Sequence, residues 1–253
     1  MDLPTQNFPL SSDWNSALPA GPALYVVATP LGNLEDVTIR ALRILQGVDL
    51  ILSEDTRKTA RLLQRYSIDS PQKSFRVHQI RSDIQFALQR LQEGQNLALV
   101  SDAGTPGISD PGSHLIREIR QELPDCPILP IPGPSALSAA LSVCGWQANP
   151  SVFLGFLPRK PGKMQSALHA VSGQDSVLVI YESVHRIDKT LGFLRAEFPE
   201  RPILIGREIT KMHEEWILWT DNEVPEFTHK GEFVILVGPE KGRMASKEAQ
   251  GAS

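Results

Sequence analysis

The chain has 253 residues, 41% of them hydrophobic and 21% charged, with a formal net charge of −4. That charge exerts no global pull toward nucleic acid or anionic membrane, so a polyanion partner has to be met by a local patch. The length exceeds one usual compact unit, which predicts two α/β lobes, with one large domain as the alternative; Cys126 and Cys144 lack metal-ligand spacing and read as free thiols of a reducing cytosol.

Residues 1–20 are polar, with Pro, Ser and Asn and no basic start before an apolar run, so they read as a flexible arm rather than a signal or an anchor. No stretch has the length needed to span a bilayer. Residues 24–28 form an apolar strand that enters the turn Thr29-Pro30-Leu31-Gly32-Asn33. A helix follows, capped by Thr38 or Asp36, with Ile39, Leu42, Arg43 and Leu45 on its packing side and Gly47 at its stop. Strand 48–52, helix 56–66, helix 82–93 closed by Gly94, and strand 97–100 come next. Residues 111–122 are helical, 127–131 a strand, and Pro134 opens a helix of small residues.

This alternation implies a largely parallel sheet covered by helices, because parallel strands need long crossovers. The first domain is expected at 21–145, and 145–150 reads as a linker. A second, more mixed domain at 151–240 takes strand 152–154, helix 163–171, strand 177–181, helix 185–198 and strands 203–205, 216–219 and 233–237. The tail, 241–253, is small, polar and expected to be flexible.

Several chemistries lack their signature. No G-x-G-x-x-G follows the first strand, no G-x-x-x-x-G-K-[ST] occurs, and G-x-S-x-G is absent. His213-Glu214-Glu215 would need a second histidine where Ile217 stands, so no metal site is expected. What the chain has instead is a loop dense in special residues, Ser101-Asp102-Ala103-Gly104-Thr105-Pro106-Gly107-Ile108-Ser109-Asp110-Pro111-Gly112. Gly104, Gly107 and Gly112 permit angles or approaches that a Cβ forbids, while Pro106 and Pro111 fix φ and remove amide donors. Such a preformed rim at a strand's carboxyl end suits a small polar cofactor. Two further Gly/Pro turns, at Thr29 to Asn33 and Ile131-Pro132-Gly133-Pro134-Ser135-Ala136, also follow strands and are expected to meet the first at one sheet edge.

Taken with Gly155-Phe156-Leu157-Pro158, Tyr181-Glu182-Ser183-Val184-His185-Arg186 and Gly206-Arg207-Glu208-Ile209-Thr210-Lys211, these turns make the chain resemble the tetrapyrrole methylase superfamily and, within it, the ribosomal small-subunit methyltransferase I group. The resemblance spans about residues 21–215. It implies an α/β, two-lobed, class III methyltransferase fold with a cofactor cleft between the lobes. It further implies S-adenosylmethionine as cofactor, 16S rRNA of the small ribosomal subunit as substrate, methylation of a cytidine 2′-oxygen in the decoding region, and a cytoplasmic homodimer. Carried over by motif, the cofactor contacts are Pro30, Leu31, Gly32, Ser101, Asp102, Ala103, Gly104, Thr105, Ile108, Pro132, Gly133, Pro134, Ser135, Phe156, Leu157 and Pro158.

Physical chemistry gives that resemblance content. The sulfonium of S-adenosylmethionine is a cation, so the Asp102 carboxylate and nearby carbonyls favour it. In-line alignment supplies most of the rate, and an acceptor for the ribose hydroxyl proton supplies more. Glu54 and Asp55 are the first candidates for that acceptor, with Glu182 and Glu208 behind them; each could equally cap a helix or pair with Arg57, Arg186 or Arg207. For RNA, Arg57, Arg61 and Arg65 recur at i, i+4 and i+8 with Lys58 beside them, and Arg159, Lys160 and Lys163 form a second patch.

Two departures from the group stand out. The segment after the second helix reads Arg76-Val77-His78-Gln79-Ile80-Arg81, where the group has a His- and Asn-rich acidic stretch, and residues 220–230 are short where the group has a helical insertion. Competing readings are a methyltransferase of porphyrin-like rings, which needs a wide apolar cleft, and a non-enzymatic ribosome-assembly RNA-binding protein, which has no use for constrained Gly/Pro loops.

Overall fold

The computed structural model describes residue 18 and residues 21–76, 79–220 and 225–239. The expected arm, the expected tail beyond residue 239 and His78 lie outside the described residues, save for Leu18. The chain divides into two units, one built from residues up to Thr29 with Val37–Gly133, the other from Pro30–Asp36 with residues from Pro134 onward.

The first unit alternates β1 (Leu24–Val27), α1 (Ile39–Gly47), β2 (Leu50–Ser53), α2 (Thr56–Arg65), β3 (Gln72–Ser74), α3 (Ile80–Gln92), β4 (Leu97–Val100), α4 (Gly112–Glu122) and β5 (Ile128–Ile131). Its sheet has the order β3-β2-β4-β1-β5, parallel throughout. Helices cover both faces, which is why the central strands read as unbroken apolar runs. Leu24, Val26, Leu52, Leu97 and Leu99 face the buried residues of α3 and α4, and the alternate set Tyr25, Val27, Ile51, Ala98 and Val100 is buried on the other side. Thr38 caps α1 by accepting the Ala41 amide at 3.1 Å. Ile39 is 42% exposed, so the packing side of α1 is carried by Leu42 and Leu45 instead. No apolar alternation marks β3, a three-residue polar edge strand that only its pairing with β2 defines.

From β2 the chain continues outward to β3, and from β4 it crosses β1 to reach β5. Connections therefore diverge between the neighbours β2 and β4, which opens a crevice at their carboxyl ends where open α/β sheets bind ligands.

The second unit contains α5 (Ala136–Val143), β6 (Ser151–Phe156), α6 (Pro161–Ser172), β7 (Val177–Ser183), α7 (Ile187–Glu197), β8 (Ile203–Arg207), β9 (Glu215–Trp219) and β10 (Glu232–Val237), with a 3₁₀ turn at Leu34–Asp36. Its sheet, β6-β7-β10-β8-β9, is mixed: β6 and β7 are parallel and the remaining pairs antiparallel. Leu178, Ile180, Ile205, Phe233 and Ile235 pack under α6 and α7, while Val179, Leu204, Val234 and Leu236 pack with Ala140 of α5.

That last contact moves the expected domain boundary from residues 145–150 to Gly133 and Pro134. The stretch read as a linker is built into the second unit, with Trp146 half-buried against its core and against Gly238. Pro134 lies ahead of α5 rather than in its first turn, and proline takes that opening position in α6, at Pro161. Among the described residues no helix is long and apolar enough to cross a membrane.

Candidate active site

In the first unit the carboxyl edge is organised by the loop after β4. Thr29 and Gly104 exchange both backbone hydrogen bonds at 2.9 Å, and the Thr29 hydroxyl donates to the Ser101 carbonyl at 3.2 Å, joining the end of β1 to the loop. Gly104 and Gly107 have φ of +78° and +86°, so both need the freedom expected of them. Gly112 serves by closeness: a Cβ there would stand 2.8 Å from Asp110 Oδ1 and 3.0 Å from Leu99 Cδ2. The Asp110 carboxylate accepts the Gly107 amide at 2.8 and 2.9 Å and the Gly112 amide at 2.7 Å, so it belts the loop from inside. Gly133, after β5, comes equally close to Ala28 of the β1 end, at 3.0 Å from its Cβ. The turns after β4 and β5 thus meet the end of β1, as the sequence predicts.

Asp102 sits at the mouth of the β2/β4 crevice. Its Oδ2 accepts from Lys58 Nζ at 2.6 Å, whereas its Oδ1 is buried and accepts no hydrogen bond. A buried carboxylate oxygen left bare is costly unless something fills its place, and a cation or a polar hydroxyl is the fitting occupant. Beside it lies Glu54, half-buried after β2. Burial pushes its carboxyl above the usual carboxylate range, the Asp102 and Asp110 charges push the same way, and the Asp102 amide and Lys58 only partly oppose them. Glu54 is therefore a carboxylate with raised proton affinity.

The other acid candidates are occupied. Asp55 is the N-cap of α2: it accepts the Arg57 amide at 2.9 Å and binds the Arg57 guanidinium at 2.7 and 3.0 Å. Those Arg57 hydrogen bonds hold its carboxyl well below the usual range, which makes it a poor base. Glu182 is 2% exposed and saturated by Thr190 at 2.7 Å, the Ser183 amide at 2.8 Å and Arg186 at 3.3 Å. Glu208, at φ +51°, holds Lys211 and the Glu232 amide, each at 2.9 Å. Burial would raise its carboxyl, but Lys211 and that amide outweigh it and keep Glu208 low. Of the basic residues, Lys58 is turned onto Asp102 and Arg57 onto Asp55, while Arg61 and Arg65 lie exposed along α2.

In the second unit Lys211 and Thr210 brace the turn at Pro30, Leu31 and Gly32, a function that sequence reading missed. A Cβ on Gly32 would stand 2.1 Å from Lys211 Cγ, and the Asn33 amide donates to the Thr210 hydroxyl at 3.2 Å. Lys211 Nζ is itself held by Glu208 at 2.9 Å and Glu232 at 2.8 Å. Glu214 and Glu215, singled out with His213, likewise serve the fold, accepting from Trp216 at 2.7 Å and Arg207 at 2.9 Å. Ser135 hydrogen-bonds the Tyr181 hydroxyl, whose ring packs edge-on against Phe156 at 5.9 Å. Phe156 is 54% exposed, Leu157 is buried, and the Leu157 and Pro158 carbonyls accept from Arg186 at 2.8 and 3.4 Å.

Residues 23–225 match the family model described as tetrapyrrole (corrin/porphyrin) methylases. The protein named ribosomal RNA small subunit methyltransferase I of Leptospira biflexa is 43% identical over 225 residues, 86% of this chain and 91% of its own length. The protein of the same name from Thermotoga maritima is 42% identical over 222 residues, 86% of this chain and 99% of its own. Among solved structures, the methyltransferase CobJ superposes with a TM-score of 0.66 at 23% identity over 86% of this chain and 94% of that one. A uroporphyrin-III C-methyltransferase of Thermus thermophilus, complexed with S-adenosylhomocysteine, gives 0.59 at 18% identity over 85% and 96%. At those identities the structural likeness shows the fold.

Proposed function

Because the chain belongs to the tetrapyrrole methylase family, and within it to the ribosomal RNA small subunit methyltransferase I group, we propose that it transfers a methyl group from S-adenosylmethionine to the 2′-oxygen of a decoding-region cytidine in 16S rRNA of the small subunit. The observation that carries this reading is the 43% identity to a relative of that name over 86% of the chain and 91% of the relative.

S-adenosylmethionine brings an already activated methyl on a cationic sulfur, so the protein's work is alignment, charge and proton removal. The residues present suit such a donor. Asp102 offers its bare Oδ1, and the loop from Ser101 to Ile108, with Pro132 and Gly133, supplies carbonyls and amides fixed by the Thr29, Asp110 and Gly133 contacts. From the second unit we assign donor contacts to Pro30, Leu31, Gly32, Pro134, Ser135, Phe156, Leu157 and Pro158. Glu54 takes the ribose hydroxyl proton. Arg61 and Arg65 meet RNA phosphates, with Arg159, Lys160 and Lys163 as the patch of the second unit. The reading also expects a homodimer acting in the cytoplasm, which sedimentation at working concentration checks.

Expression of the protein in cells whose small-subunit RNA lacks this mark tests the reading. The expected result is a gain of 2′-O-methylcytidine in nucleosides digested from the purified small-subunit RNA. A base-methylated nucleoside, or no gain with the protein folded and abundant, would overturn it.

A further inference from the structure

In the second unit one sheet edge joins the loop after β6 to two segments, before α7 and before β10, to which the chemistry above gives no part. Strands β6 and β7 end there, and antiparallel β10 begins there, with Glu232 opposite Ser183. Arg186, just before α7, ties that edge to the segment after β6 through the Leu157 and Pro158 carbonyls. The short segment before β10 brings in a ring pair: Phe227 stacks on His229 with centroids 4.7 Å apart and planes 24° apart, and Phe227 is anchored edge-on to Phe233 at 5.8 Å. His229 Nε2 lies 2.7 Å from Asp188 Oδ1, so the imidazole is fixed along one edge and one face yet stays 53% exposed.

Fold stability does not account for this arrangement, because an exposed His–Asp pair contributes little. Lys189 and Lys230 flank it, both exposed, and neither has a carboxylate within salt-bridge distance among the described residues. Arg159 and Lys160 lie exposed on the neighbouring loop of the same edge. A chain of net charge −4 thus concentrates cations that have no ion pair among the described residues around a ring already oriented for stacking. Such a ring takes up a base face with little further loss of side-chain freedom, and bases present open faces when they are single-stranded.

We infer that His229, backed by Phe227 and flanked by Lys189 and Lys230, is a stacking platform for a single-stranded base of the RNA substrate. The inference rests on the RNA methyltransferase reading.

The test compares wild type, His229→Ala, His229→Trp and the Lys189→Ala/Lys230→Ala double variant. A fluorescein-labelled single-stranded oligoribonucleotide of the decoding-region sequence is the binding probe, and steady-state methylation of unmodified small subunits is the activity readout. His229→Ala is expected to weaken oligonucleotide binding about tenfold and to raise KM for subunits in parallel, with kcat and donor KM unchanged. His229→Trp should restore or tighten binding, which a merely structural histidine would not allow. The double variant should flatten the slope of log Kd against log salt by about 1.4 for two phosphates on a single strand. Unchanged oligonucleotide binding by His229→Ala overturns the inference, also if KM for whole subunits rises, since the patch would then serve a ribosomal protein. A wild type that methylates no subunits overturns the parent reading and this one together; a wild type that does, with an indifferent His229, overturns this one alone.

Discussion

Carboxylates that look alike in sequence are told apart by their individual surroundings. Glu54 and Asp55 are adjacent, but Glu54 is half-buried against Asp102 whereas Asp55 is spent on Arg57. Glu54→Gln should lower kcat by about 10²–10⁴ while donor affinity holds, measured by single-turnover methylation and calorimetry. As a base Glu54 must be ionised, and its raised affinity for protons places the acid limb of the rate above the usual carboxylate range; the limb should vanish in Glu54→Gln. Asp55→Asn should keep the rate per folded molecule and lower stability. Because its carboxyl is depressed in the fold, the stability it confers is present above the ordinary aspartate pKa and is lost as pH falls toward the folded value, which unfolding curves against pH will read. Glu182→Ala should destabilise the second unit by about 3–5 kcal/mol, since it strands Thr190 and Arg186, and thermal denaturation checks it. Sequence could not rank these four acids, because burial and partners are tertiary facts; the Arg57 beside Asp55 was the one local hint.

Among elements, the Gly/Pro turns were legible because their residue types are dictated by backbone geometry. Gly104 and Gly107 do adopt positive φ, and Gly112 and Gly133 do lie where a side chain would collide. The brace at Lys211 was not legible, since nothing in the sequence links residue 211 to Gly32. Gly32→Ala should displace the turn and weaken donor binding about tenfold to a hundredfold by calorimetry, and adding Lys211→Ala should recover part of the loss. The basic stripe expected along α2, Arg57, Arg61 and Arg65 with Lys58 beside them, divides its labour: Lys58 is directed at Asp102 and Arg57 at Asp55. Accordingly Arg61→Ala with Arg65→Ala should flatten the salt dependence of RNA binding and leave donor binding intact, whereas Lys58→Ala should disturb donor binding. Strand β3 escaped notice because a short polar edge strand has no apolar alternation to announce it.

For the whole molecule, strand–helix alternation revealed the α/β class and the parallel first sheet, but not where one unit ends. The boundary at Gly133 and Pro134 depends on α5 packing against β10, a contact between segments about a hundred residues apart that local pattern does not encode. Strand order, with its divergence between β2 and β4, was equally invisible, and it is what brings Glu54 and Asp102 to one crevice. We propose that this crevice serves methyl transfer to small-subunit RNA. Its most direct test is to incubate the purified protein with methyl-labelled S-adenosylmethionine and small subunits lacking the mark, then to map the label by nuclease and alkaline digestion. Label is expected at a single cytidine within an alkali-resistant dinucleotide, the signature of a blocked 2′-oxygen; label in an alkali-sensitive position, or only in an added porphyrin-like ring, would rule out 2′-O-methylation of this RNA.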